Sequence, residues 1–147
     1  MTGEIVGRRS APIEHTLTAA EIRAYADAVG DPNPLYRDAD AARRAGYPDI
    51  AAPPTAAAIF MMKPVLALLT DPELAVDLGR LVHGDQAYEF ARPVVAGERL
   101  TVAGEVVEAY ARAGHQFIVI ATEARDGAGE AVVRGRATFV VRGGGER

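Results

Sequence analysis

The sequence predicts an α+β fold in which one long antiparallel sheet curls around a single buried helix. The first part of the chain carries helical patterns bounded by capping residues. A segment that is apolar on every side follows at residues 55–69, and helices of this kind are usually buried. Beyond residue 80, segments of strand composition alternate with glycine-containing turns. A strongly bent sheet around the apolar helix would bury both, which is the hot-dog architecture.

Composition places the chain among globular proteins with one hydrophobic core. It has 147 residues, of which 49% are hydrophobic and 24% charged. We expect residues 1–142 to form a single domain and residues 143–147 to be a disordered tail. The absence of cysteine excludes disulfides and thiol nucleophiles.

Several classes of function are disfavoured by charge and motifs. The net charge is −4 and no basic stripe with interleaved aromatics occurs, so we expect no nucleic-acid partner. His15, His83 and His115 lie far apart, and no glycine-rich nucleotide motif is present, so neither a metal nor a cofactor is expected. No apolar run approaches the ~20 residues of a membrane span, and the start lacks a signal-like run, which favours the cytoplasm.

The first helix is predicted by its capping pattern. Thr18 and Glu21 form a capping box, and apolar residues at helical spacing follow. We therefore expect a helix over about residues 19–29 that ends at Gly30.

The loop GDPNPLY at residues 30–36 contains too many prolines and turn formers for a regular helix or strand. It is therefore either a simple turn or an active-site loop, because it carries a carboxylate, an amide and a phenol. Asp38 can cap a second short helix over about residues 39–45.

The third helix is predicted over Thr55–Leu69. Phe60 and Met61 lie in its most apolar part and are expected to pack in the core. Pro64 should kink or restart this helix.

The second half reads as a long antiparallel meander. Its four predicted strands are Leu81–Arg92, Arg99–Ala111, His115–Arg125 and Ala131–Val141. Such a unit leaves an open sheet edge and a half-covered helix, so we expect it to form a homodimer or a heterodimer with a related subunit.

The loop also carries a family resemblance. The segment YADAVGDPNPLYRDADAARRAGYPDI at residues 25–50 resembles the signature of MaoC-like (R)-specific enoyl-CoA hydratases and (3R)-hydroxyacyl-ACP dehydratases, roughly Y-x-x-x-x-G-D-x-N-P-[LIV]-H. APPT at residues 52–55 and HGDQAYEFARPVVAGERL at residues 83–100 resemble the MaoC-like, FAS1-type dehydratase amino-terminal family. That family includes non-catalytic partners in heterodimeric dehydratases. The resemblance implies a hot-dog fold and an acyl-CoA or acyl-ACP thioester substrate.

The resemblance also implies a mechanism. In active members an Asp and a His five residues apart hold a water and move protons to and from it and the carbon alpha to the thioester. Backbone N–H groups at the start of the buried helix stabilise the enolate. Asp31 and Asn33 match this loop, and the resemblance implies that Asp31 is catalytic.

The sequence departs from the family pattern at two positions. Tyr36 stands where active members have His, and a phenol with a pKa near 10 is a poor base at neutral pH. Pro54 stands where active members have the Gly whose N–H stabilises the enolate, and proline has no N–H. We therefore expect the chain by itself to be a poor hydratase. His83 is the best candidate for a compensating base, because histidine titrates near neutral pH.

The residues that the resemblance would place around the acyl chain are Pro54, Thr55, Phe60 and Met61. The polar and aromatic candidates can also be explained by purely structural roles. Asp31 and Asn33 are also typical turn residues, Tyr36 can be a packed aromatic, and His83 an ordinary strand-end histidine.

Three functions compete. The first is one substrate-binding subunit of a dimeric (3R)-hydroxyacyl thioester dehydratase or (R)-specific enoyl thioester hydratase. The second is a non-catalytic protein that binds acyl-CoA or acyl-ACP. The third, a hot-dog thioesterase, is least favoured because residues 55–69 contain no Asp or Glu to activate water.

Overall fold

The computed structural model describes residues 4–143. The helices are α1 (Ala19–Ala28), α2 (Ala39–Arg44) and α3 (Ala58–Leu69), and the strands are β1 (Ile13–Thr16), β2 (Leu81–Phe90), β3 (Arg99–Arg112), β4 (His115–Arg125) and β5 (Ala131–Val141). The strands form one antiparallel sheet in the order β1-β3-β4-β5-β2. The predicted α+β class with a sheet around one central helix is confirmed.

The capping signals of the first two helices act as expected. The Thr18 N–H donates to Glu21 Oε2 at 2.8 Å, and the Glu21 N–H donates to Thr18 Oγ1 at 3.1 Å, which completes the capping box of α1. Gly30 follows that helix with φ of 70°, a conformation that suits glycine. The Asp38 carboxylate accepts from the N–H of Asp40 at 2.8 Å and starts α2.

The prediction of a simple meander is wrong. Only β3, β4 and β5 follow one another in the sheet, whereas β2 pairs with β5 at the far edge. Strand β1, which the sequence analysis missed, pairs with β3 through Ile13 opposite Val102 and Thr16 opposite Arg99. Composition marks where a strand lies but not its partner, and a four-residue strand is too short for its alternation to stand out.

Helix α3 occupies the middle of the core, as predicted, but starts differently. Residues Pro54–Ala57 form a 3-10 turn, and the α-helix begins at Ala58. The helix does not restart at Pro64, because one helix continues through this buried residue to Leu69. The first half of α3 packs in one apolar cluster around Phe60, and the second half packs in another around Leu68.

Two glycines let α3 lie close to the sheet. Gly104, Thr122 and Gly135 face one another on adjacent strands, on the face that carries α3. A Cβ at Gly104 would lie 3.4 Å from Pro64 Cβ and 3.4 Å from Leu68 Cδ1. The small residues in this row therefore set the distance between helix and sheet.

The predicted tail lies almost entirely outside the described residues, of which Gly143 is the last. The Gly143 N–H donates to His115 Nδ1 at 3.0 Å. Within residues 4–143, no helix has both the length and the apolar character needed to cross a bilayer.

Candidate functional site

A cavity of about 370 Å³ lies between the loop after α1, the start of α3 and the end of β2. Most of its walls are apolar side chains, and its few polar groups come from two tyrosines and one arginine. The lining residues are Leu35, Tyr36, Tyr47, Ala51, Ala52, Pro53, Pro54, Ala57, Phe60, Phe90, Ala91, Arg92, Pro93 and Val94.

The proline-rich loop is held by hydrogen bonds between its own residues. The Asn33 N–H donates to Asp31 Oδ1 at 3.0 Å, and the Leu35 N–H donates to Asn33 Oδ1 at 3.0 Å. These bonds lead into one 3-10 turn at Pro34–Tyr36, in agreement with the expectation that this loop forms no regular α-helix or strand. The result is a fixed turn that presents Leu35 and Tyr36 to the cavity.

Arg37 ties this turn back to α1. Its Nε and Nη2 donate to the backbone carbonyl oxygen of Asp31 at 3.2 and 2.8 Å, and its Nη1 forms an ion pair with Asp27. The Asp31 N–H donates to the Ala26 oxygen at 2.9 Å. Asp31 does not line the cavity, and its Oδ2 receives no hydrogen bond within residues 4–143.

Tyr36 does line the cavity and remains a phenol at neutral pH. Burial raises its pKa above the usual value for tyrosine, and the negative charge of Asp31 and the neighbouring Tyr47 raise it further, while the Asn33 side chain partly offsets the rise. A phenol whose pKa lies above the usual tyrosine value can donate a hydrogen bond but cannot serve as a general base near pH 7.

Two prolines form the wall at the start of α3. Pro53 and Pro54 both line the cavity, and neither has an N–H to offer to a ligand oxygen. Thr55, expected at the site, is exposed and does not line the cavity. The Ala56 N–H, which follows, is already used in a 2.9 Å bond to the Pro53 oxygen.

The other predicted site residues divide between the wall, the core and the surface. Phe60 is fully buried and lines the cavity, whereas Met61 is buried in the core without lining it. His83 is exposed on β2, where its ring stacks on Phe139 with centroids 4.6 Å apart. The structure therefore does not place His83 in the lining of this cavity.

Of the lining residues that sequence reasoning missed, three are aromatic or charged: Tyr47, Phe90 and Arg92. Tyr47 lies in the GYP connection, and the other two lie in the FARP segment at the end of β2. The signal for Arg92 was its place beside Pro93, at the end of the predicted strand Leu81–Arg92.

Arg92 is held by two carboxylates from different turns. Its Nη1 donates to Glu98 Oε1 at 2.5 Å, and its Nη2 donates to Asp126 Oδ2 at 3.1 Å. The charge of Arg92 is therefore largely neutralised where it meets the cavity.

The cavity can hold an apolar chain but lacks the groups for paired proton transfers. None of its lining residues is a histidine, aspartate or glutamate. The described residues also contain no convergence of His, Cys, Asp and Glu side chains that could bind a metal ion. Asp31 does not line the cavity, but its charge contributes to the raised pKa of Tyr36.

Comparison with known proteins places these features in a family. The model for the FAS1-like, dehydratase domain region matches residues 4–134. A UPF0336 protein of Thermobifida fusca is 42% identical over 132 residues, which cover 90% of this chain and 87% of that protein. A UPF0336 protein of Saccharopolyspora erythraea is 40% identical over 142 residues, covering 96% and 91% of the two chains.

Among solved structures, the HadBC (3R)-hydroxyacyl-ACP dehydratase complex of Mycobacterium tuberculosis has a chain with a TM-score of 0.82 and 26% identity. The match covers 95% of this chain and 99% of that one. The hot-dog fold is therefore shared along nearly the whole length. The chain belongs to the FAS1-like dehydratase domain family and has the hot-dog fold of the MaoC-like dehydratases.

Proposed function

We propose that this chain is the substrate-binding subunit of a dimeric (3R)-hydroxyacyl thioester dehydratase, which also runs the reverse (R)-specific hydration of enoyl thioesters in the cytoplasm. Its own site is degenerate, and a related subunit supplies the acid–base pair. The observation that carries the proposal is an apolar cavity whose loop presents a neutral Tyr36 phenol.

The reaction needs two proton transfers that this cavity does not provide. In the hydration direction, a water oxygen bonds to the β-carbon, and a proton is delivered to the carbon alpha to the thioester. Removing one general acid–base group typically costs about 10² to 10⁴ in rate. Tyr36 cannot accept the proton at neutral pH, and Pro54 cannot donate an N–H to the enolate oxygen, so both chemical steps fall to the partner.

Features of the surface support a partner subunit. The ten-residue strand β2 ends the sheet, and α3 leaves Leu66 54% exposed. Long open edges and exposed apolar side chains on a core helix favour association. The similar mycobacterial structure is itself a complex of a (3R)-hydroxyacyl-ACP dehydratase.

The experiment combines this chain with a MaoC-like relative that carries an intact D-x-N-P-[LIV]-H loop, taken from the same genome. Loss of the enoyl thioester absorbance is followed for short and long trans-2-enoyl-CoA substrates. We expect activity from the mixture and none from this chain alone. Efficient hydration by this chain alone, or none by the mixture with every genomic relative of this type, would contradict the proposal.

The role of the cavity is tested with a filling substitution. Ala57 is buried and lines the cavity, so Ala57→Leu reduces the space for an acyl chain. We expect the KM of the mixture for long-chain substrates to rise about tenfold or more, with little change for a four-carbon substrate. Ala24→Leu, on the exposed side of α1 and away from the cavity, is the matched control. Equal effects of the two variants would argue against acyl binding in this cavity.

A non-catalytic acyl-binding protein is the second candidate, because the same cavity would hold an acyl chain without any chemistry. It predicts measurable binding of acyl thioesters, lost in Ala57→Leu, and no hydration with any partner. The two candidates therefore differ in the activity of the mixture alone.

A further inference from the structure

The free edge of the sheet is long and has no backbone partner on one side. Strand β2 spans ten residues and pairs with β5 alone. Within residues 4–143, no backbone group of another element bonds to its outer side. Strand β1, at the opposite edge, spans four residues. An edge of this length is a template for a further strand.

The face of the sheet opposite α3 is exposed to solvent and carries charged side chains. On this face, β5 contributes arginines that pair with glutamates of β4 and β3. Arg134 on β5 donates from Nε to Glu123 Oε2 on β4 at 3.1 Å. Arg136 on β5 forms an ion pair with Glu108 on β3. The basic side chains of β5 are therefore engaged with the acidic side chains of β4 and β3, away from β2.

Strand β2 adds two acidic side chains to this face. The register places Asp85 opposite Thr138 and Glu89 opposite Arg134. Both carboxylate residues are exposed, and neither forms an ion pair with any residue of the described part. The strand itself, LVHGDQAYEF, contains no lysine or arginine.

A second copy of this chain would meet an edge of the same charge. In a two-fold antiparallel pairing centred on β2, each copy contributes Asp85 and Glu89 to the solvent face of the seam, and the strand contributes no cation. Like charges on neighbouring strands are destabilising, whereas opposite charges stabilise the pairing. The solvent face carries basic side chains on β5 and acidic side chains on β2. A partner strand with basic side chains on this face would therefore place opposite charges beside Asp85 and Glu89.

We propose that the β2 edge selects a related hot-dog chain whose own edge strand carries lysine or arginine on the solvent face, in preference to a second copy of this chain. The inference rests on the proposed assembly with a partner subunit and adds the chemistry by which that partner is chosen. Asp85 and Glu89 are the two selecting residues.

The test uses only this chain and a charge-reversed copy of it. The double variant Asp85→Lys with Glu89→Lys is mixed with the wild type, one of them bearing a mass tag, and native mass spectrometry counts the dimers. The control double variant, Asp40→Lys with Glu130→Lys, has the same change in charge at exposed positions outside β2. Circular dichroism confirms that each variant is folded.

The expected result is a mixed dimer of wild type and β2 variant formed about tenfold more readily than the wild-type dimer. The control variant should give no such preference. A statistical distribution of the β2 variant with the wild type would overturn the inference. If charge reversal prevents folding, the neutral pair Asp85→Asn with Glu89→Gln replaces it.

The neutral pair makes a second, opposite prediction about self-association. Removing the carboxylates should strengthen the homodimer, and raising the salt concentration should strengthen the wild-type homodimer, because salt screens repulsion. Sedimentation that shows no response to either change would overturn the inference. Failure of enoyl thioester hydration with the catalytic relative would instead overturn the proposed function and leave this result standing.

Discussion

The Tyr36 phenol is an un-ionised polar group in the wall of an otherwise largely apolar cavity. The loop that holds it is fixed by the Asp31 and Asn33 side chains, which bond to backbone N–H groups two residues ahead. An Asp with this bond serves the turn whether or not it also serves a reaction. Asp31 therefore has a structural role here, and its charge reaches the cavity through its effect on Tyr36.

The coupling between these two residues can be measured directly. Burial contributes most to the raised pKa of Tyr36, and the charge of Asp31 contributes next, so Asp31→Asn should lower that pKa while keeping it above the usual value. The asparagine oxygen can still accept from the Asn33 N–H. A titration of ¹³C-labelled tyrosine by NMR, assigned with Tyr36→Phe, gives the value. Asp40→Asn is the control, and an unchanged pKa in Asp31→Asn would show that the charge does not reach the ring.

The small size of Gly135 allows close packing between the sheet and its neighbouring side chains. An added Cβ there would collide with the Thr122 hydroxyl and would lie 3.1 Å from Met61 Cε and 3.2 Å from Tyr88 Cε1. Gly135→Ala should therefore lower the free energy of unfolding by about 1 to 3 kcal/mol, as overpacking does. Urea unfolding measures this. Gly127→Ala, with no atom within 4 Å of the added methyl, should change stability far less, and equal losses would contradict the packing argument.

At the level of elements, the carboxylate that caps α1 also links this helix to β1 and α3. Glu21 Oε1 lies 3.2 Å from His15 Nε2 on β1, and His15 Nδ1 lies 2.7 Å from Lys63 Nζ on α3. Glu21 Oε2 accepts from both the N–H and the hydroxyl of Thr18. Glu21, His15 and Lys63 therefore form a row of polar contacts that joins α1 to β1 and β1 to α3.

This arrangement predicts a dependence of stability on pH. Burial favours the neutral form of Glu21, but the Thr18 hydrogen bonds and the charges of His15 and Lys63 outweigh it, so the pKa of Glu21 is lowered. Its stabilisation is then present above the unfolded pKa of about 4.3 and is lost as pH falls through the lower folded value. Glu21→Gln should remove this part of the acid sensitivity.

The measurement is urea unfolding of wild type and Glu21→Gln at neutral pH and near pH 3. The difference between the two proteins should be largest at neutral pH and should shrink in acid. Glu130→Gln, at an exposed position in the turn before β5, is the control. A difference that stays constant across the range would mean that the Glu21 charge does not contribute.

For the whole molecule, the sheet has a protected centre and a long open edge at β2. Strand β4 lies between β3 and β5 over its full length, whereas β2 has one paired side. Amide hydrogens of β2 that point away from β5 should exchange quickly when the chain is monomeric, while those of β4 should exchange slowly. Binding of the partner subunit should slow exchange in β2.

Hydrogen exchange followed by mass spectrometry tests this, with peptides from β2 and β4 compared before and after addition of the catalytic relative. Peptides from α2, which lies outside the sheet, provide the control. Partner binding that protects other surfaces and leaves β2 unchanged would move the interface elsewhere.

The sequence determined the local elements of this protein. The capping box at Thr18 and Glu21, the apolar helix, and the four long strands were all predictable, because each depends on residues near in the chain. The sequence also indicated the family, through the loop at residues 30–36, and the tyrosine within it.

Only the tertiary structure decided which elements meet. It placed β2 beside β5, added β1, and brought Tyr47, Phe90 and Arg92 to the cavity while leaving His83 on the surface. The physical reason is that strand pairing and cavity walls depend on contacts between residues distant in the chain, whose partners no local pattern encodes. The strand order also showed that Asp85 and Glu89 lie on an edge strand, which the local sequence of β2 does not reveal.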